Sequence, residues 1–98
     1  MTLPRATMRS IGPGTGEGAL TGHPDPDILV RTQKLTDTEM TVGLWSFGKH
    51  LIGQGLLTLR DGAWRGRCTE YAGEWHCEAR VGSPTLTFSE TAPAGTAA

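Results

Sequence analysis

No apolar run in this 98-residue chain approaches the roughly 18 residues that a membrane-spanning helix requires. The amino-terminal stretch MTLPRATMRSIGPGTG follows Arg5 and Arg9 with no apolar h-region, so no Sec signal peptide is expected. Lysine occurs only at positions 34 and 49 against seven arginines, which reads as the compositional habit of a high-GC bacterial or viral genome. Nor is there an excess of either charge. The net formal charge of -1 supplies no field to draw the chain to a polyanion or an acidic membrane. No segment carries the several turns of 3.6-period apolar residues that a helix needs, and no Cys-x-x-Cys element marks a zinc site.

What is present is period-two alternation, concentrated in residues 56–81. Two hairpin signals lie there in series, Asp61-Gly62 and Ala72-Gly73. A two-residue loop at Asp61-Gly62 sets Leu59 opposite Trp64 and Leu57 opposite Gly66. A two-residue loop at Ala72-Gly73 sets Cys68 opposite Cys77 at a close, non-hydrogen-bonded position, where a disulfide is permitted. Reduced, buried thiols are the other reading of the pair. The same register puts Trp64, Cys68, Trp75, Cys77, Ala79 and Val81 on a dry face. Arg65, Arg67, Thr69 and Tyr71 then share a wet face with Glu74, His76, Glu78 and Arg80. In this register Arg67 opposes Glu78 favourably, while Arg65 opposes Arg80 with like charge. Gly66 leaves room for a facing ring or marks a bulge.

The remaining chain divides around this unit. Residues 1–27, rich in Gly and Pro, read as a tail or arm with few apolar anchors; 28–90 as a small β domain; 91–98 as a flexible end. Ile28 to Gln33 reads as a strand, and Leu35 to Glu39, with Thr36 as N-cap and Glu39 three positions on, allows a single helical turn. Met40 to Phe47 reads as a strand whose apolar parity changes between Leu44 and Trp45, so either both of its faces are covered or, at less cost in so small a chain, a bulge near Gly43 switches the phase. Thr85 to Glu90 is a last strand, with Gly82 to Thr85 as its loop, Val81 facing Leu86 and Ala79 facing Phe88. The fold class expected is all-β, a small antiparallel meander or partly open barrel with disordered or partner-ordered termini. At about 1.5 kcal/mol of ordering entropy per residue, so small a domain has a narrow margin and invites a disulfide, a metal or a partner.

Chemistry is hard to place on this pattern. The glycines of IGPGTGEG lack the following Gly-Lys-Ser/Thr of a phosphate loop. A metal set from Cys68, Cys77, His76 and His50 fails because adjacent strand residues point to opposite faces. Glu70, Glu74, His76 and Glu78 read as a solvated sheet face, with no nucleophile motif beside them. No catalytic residue, cofactor or metal is therefore assigned, and the chain is not expected to be an enzyme. Arg60, Arg65, Arg67 and Arg80 with Tyr71 and His76 offer an alternative, a small barrel that holds single-stranded nucleic acid, opposed by Asp61, Glu70, Glu74 and Glu78.

Gly43-Leu44-Trp45 resembles the Gly-x-Trp of the first barrel strand in lipocalins and other calycins. The resemblance implies a small-ligand carrier with Trp45 packed across the barrel floor. Residues 46–90 are, however, too few for the eight strands such a cavity needs.

The reading that remains is a non-enzymatic protein-protein interaction module: an inhibitor, an adaptor, or a small accessory or structural subunit of a bacterial or viral assembly, cytoplasmic or held within that assembly. Its partner would be another protein or copies of itself, docked on an open sheet edge at Ile28 or at Thr85 to Glu90. Three tryptophans exceed what so small a core needs, so one is a candidate anchor. The candidate interface residues are Trp45, Arg65, Arg67, Tyr71, His76 and Arg80.

Overall fold

A computed structural model describes residues 4–23, 25, 27–70 and 73–90. Within them the strands in chain order are β1 (Arg5–Thr7), β2 (Arg9–Gly12), β3 (Thr15–Thr21), β4 (Ile28–Thr36), β5 (Glu39–Ser46), β6 (His50–Arg60), β7 (Ala63–Glu70), β8 (Gly73–Arg80) and β9 (Thr85–Glu90). There is no helix among the described residues. From β3 to β9 each strand pairs antiparallel with the next, and β1 pairs with both β9 and β3. The result is an eight-stranded antiparallel barrel, with β2 as an extra strand along β3.

Closure depends on the segment expected to be a tail. Residues 5–21 are β1 to β3, not an arm. Two apolar anchors hold them: Ala6 is buried opposite Leu20 on one side and Leu86 on the other. The glycines there are not spacers. A Cβ at Gly18 would lie 2.4 Å from the Thr7 carbonyl oxygen, so only glycine lets β3 approach so closely. Residues 91–98 lie outside the described residues.

Closure also removes the docking edges. Strand β4 is paired by β3 and β5, and β9 by β8 and β1, so neither Ile28 nor Thr85 to Glu90 offers an open edge.

The central hairpins keep their faces but change their register. Asp61 (φ 50°) and Gly62 (φ 75°) form the left-handed turn their residues favour, with Leu59 opposite Trp64 and Leu57 opposite Gly66. Gly66 is not bulged; a Cβ there would sit 1.9 Å from the Leu56 carbonyl oxygen, which requires glycine. Between β7 and β8, Glu70 pairs with Gly73, Cys68 with Trp75 and Gly66 with Cys77. Gly73 thus belongs to the strand, and the cysteines are displaced from one another by two residues. Both are free thiols buried in the core, so of the two readings of the pair the structure has the reduced thiols and not the disulfide. The slip also exchanges the unfavourable Arg65–Arg80 pairing for Arg65 opposite Glu78, an ion pair of 3.1 Å. Tyr71 and Ala72 lie outside the described residues.

The last hairpin slips by the same two residues. Cys77 faces Phe88 and Glu78 faces Thr87, while Val81 leaves the strand and is exposed. Because the slip is even, Leu86 and Phe88 remain buried.

Two local expectations also change. Thr36 to Glu39 is a β-turn rather than a helical turn: Thr36 pairs with Glu39, and the Thr38 N–H donates to Thr36 Oγ1 at 3.2 Å. The bulge belongs to β6, not to Gly43. Leu44 pairs with Gly53 and Trp45 with Leu51, leaving Ile52 as the extra residue, packed against the core. Strand β5 keeps one phase, with Val42 and Leu44 inside and Trp45 outside. The barrel interior is filled by Val30, Val42, Leu44, Leu57, Cys68, Cys77, Leu86 and Phe88.

Candidate functional site

The alternation of β4, β5 and β6 that fills the interior also builds an outer face. Arg31, Gly43 and Gln54 form one row across the three strands, and Gln33, Thr41 and Leu56 form another. Trp45 pairs with Leu51 on the far side of the Gly43 row. Because Gly43 has no side chain, the Trp45 indole leans back over it; a Cβ at Gly43 would meet the indole nitrogen at 3.0 Å. The outcome is a groove of about 640 Å³, lined by these residues with Thr15, Thr32, Val42 and Gly55.

The groove is apolar at its walls and electrostatically balanced at its centre. Leu51 and Leu56 are 47% and 44% exposed. The Arg31 guanidinium carbon lies 5.4 Å from the Trp45 ring centroid, within cation–π reach. Its Nε donates to Glu17 Oε2 at 3.2 Å, so the positive charge is neutralised on its own chain. At the end of the face, the turn after β5 carries Phe47, 68% exposed and in a left-handed conformation (φ 54°). The Phe47 N–H donates to the Asp27 carbonyl at 2.8 Å and fixes the tip.

Of the described candidate interface residues, Trp45 lines this groove and Arg65, Arg67, His76 and Arg80 do not. Trp45 does not pack across the barrel floor, as the calycin resemblance implies, because its parity on β5 points it outward. Arg65, Arg67 and His76 lie on the outer face of β7 and β8 and are largely paired. Arg67 reaches Glu74 at 3.6 Å and His76 reaches Glu78 at 3.7 Å. The hydrogen bond from Arg65 holds the Glu78 carboxyl below the usual carboxylate range. Arg80 is exposed at the end of β8, beside a smaller depression of about 210 Å³ with Glu78, Ser83, Thr85 and Thr87. Tyr71 lies outside the described residues. Arg31, Gly43, Leu51, Gln54 and Leu56 were missed; the signal for Leu51 and Leu56 was hidden by the bulge at Ile52, which shifts the parity between them.

A second cluster is internal. Glu70 does not join Glu74 and Glu78 on the wet face; it points into the barrel with its side chain fully buried. Its Oε1 accepts from Trp75 Nε1 at 2.7 Å and contacts His23 Nε2 at 2.5 Å. The Asp25 N–H donates to His23 Nδ1 at 2.9 Å, which leaves Nε2 as the ring nitrogen that carries the proton and donates to Glu70. Glu70 Oε2 has no hydrogen-bond partner among the described residues. The cysteines lie in the same interior. The Cys68 thiol, through a hydrogen bond, and then burial push the Cys77 thiol well above its ordinary value, which favours the protonated form. Among the described residues no three His, Cys, Asp or Glu side chains gather to hold a metal ion, and His76 faces away from the cysteines. No described helix is long and apolar enough to cross a membrane.

Comparison with protein-family models, with curated proteins and with solved structures finds no match for this chain.

Proposed function

We propose that the protein is a non-enzymatic docking module, an adaptor, inhibitor or accessory subunit, that engages a protein partner through the outer face of β4, β5 and β6. The observation that carries this reading is the exposure of Leu51 and Leu56 within the Trp45 groove, with Phe47 also exposed on the turn that ends β5. Contiguous apolar surface on a small domain favours contact with another protein, and tryptophan in a shallow pocket is a frequent anchor. The docking is face-to-face. A filled barrel interior speaks against a small-ligand carrier, and the pairing of Arg31, Arg65 and Arg67 with acidic side chains weakens the field a single-stranded nucleic acid would follow.

The test is site-specific photo-crosslinking in cells that produce the protein, with a benzophenone side chain at position 51, 56 or 87. Thr87 is exposed on β9, away from the groove. Protein adducts are expected from 51 and 56 and none from 87. Adducts from 87 alone, or steeply salt-dependent binding of a single-stranded oligonucleotide without protein adducts, would overturn the reading.

A further inference from the structure

Resting on the docking reading, we infer that the occupant of the groove is a second copy of this chain, laid antiparallel on the same face about a two-fold axis over Gly43. The row Arg31, Gly43, Gln54 divides the face into unlike halves. An axis along that row reverses strand direction and keeps each strand over its counterpart, as an isologous contact requires. It sets Leu51 of one copy over Leu56 of the other, and Trp45 over Thr41. Gln54 meets Gln54 on the axis, where each amide has both a donor and an acceptor to exchange. Gly43, without a side chain, lets the two faces approach. The central guanidiniums are each held by Glu17 of their own chain.

Charge selects this orientation. The turn after β5 carries exposed Lys49, and the opposite end of β5 begins at Glu39, preceded by exposed Asp37. Lys49 and Asp37 have no ion-pair partner among the described residues. The antiparallel arrangement brings the Lys49 end of each copy to the Glu39 end of its partner, twice per dimer. A two-fold along the strands would instead set Lys49 against Lys49. The same arrangement gives exposed Phe47 a place, over the far end of the partner's face.

The experiment is sedimentation velocity of the full chain across a concentration series. A species of twice the 10.4 kDa chain mass is expected. Lys49→Glu and Glu39→Lys should each weaken the dimer by about tenfold, because each rim pair occurs twice, and the double variant should recover most of the loss. A strict monomer, or a dimer indifferent to both charges, would overturn the inference. Photo-adducts from position 51 separate it from the reading beneath it. An adduct of twice the chain mass supports both; an adduct to an unlike protein overturns the second copy and leaves the docking reading standing. No adduct from 51 or 56 overturns both.

Discussion

His23 and Glu70 meet inside the barrel at 2.5 Å, although 47 residues separate them in sequence, with side chains 1% and 0% exposed. The contact fastens the segment after β3 to the end of β7. His23→Ala leaves the buried Glu70 carboxyl group with Trp75 as its one remaining described donor, and should cost about 1–3 kcal/mol in a urea titration. Glu70→Ala strands two buried N–H donors and should cost at least as much. Exposed pairs offer the contrast: Arg67→Ala, which removes a partner of Glu74, should change stability by less than about 1 kcal/mol.

Backbone proximity sets a second expectation. At Gly55 an added Cβ would lie 1.8 Å from the Arg67 carbonyl oxygen, and at Gly66 it would lie 1.9 Å from that of Leu56. Either strand must move to admit a methyl group. Gly66→Ala should therefore destabilise towards the upper end of the roughly 1–3 kcal/mol typical of overpacking. Gly62→Ala has open space but a positive φ, and should cost about 1 kcal/mol from backbone strain alone.

These glycines also show why part of the fold was hidden in the sequence. In β3, Gly16 and Gly18 look like linker residues, yet Gly18 is required by close strand approach, and Ala6 and Leu20 are too few to announce a buried strand. The alternation around Trp64, Cys68, Trp75 and Cys77 was legible, and so was the Asp61-Gly62 turn. The register was not, because a slip of two residues preserves every face; the Arg65–Glu78 ion pair distinguishes the two alignments. Glu70 reads with the solvated face because of its charge, although it lies two residues from Cys68 on the same strand and so shares its inward parity. Its partner His23 was not legible, because that contact depends on closure. The groove was the least legible part, as it joins three strands across a bulge.

The thiols give a pH dependence. Cys77 is raised in the folded state above its ordinary value of 9.0, by the Cys68 hydrogen bond first and burial second. Folding thus favours the protonated thiol, and its contribution is fully present below about pH 9. Above that the unfolded thiol ionises while the folded one does not, so stability should fall by about 1.4 kcal/mol per pH unit from this group. Cys77→Ala should show a shallower loss than the wild type between pH 9 and 10.5. Consistent with burial, a thiol reagent should label neither cysteine until the chain unfolds.

Phe47 separates stability from docking. A bulky residue at φ 54° is strained, and asparagine tolerates that conformation better. Phe47→Asn should leave the monomer as stable or raise it by up to about 1 kcal/mol in thermal unfolding, while weakening association.

Docking through the groove requires the outer face of β4 to β6 to be the covered surface in the native assembly. Hydroxyl-radical footprinting of that assembly against the dissociated Trp45→Ala chain measures this directly. Protection is predicted at Phe47, Leu51 and Leu56, with Ile11 and Val81, also exposed in the isolated chain, equally labelled in both states. Protection at Ile11 or Val81 with Leu51 and Leu56 still fully labelled would contradict it.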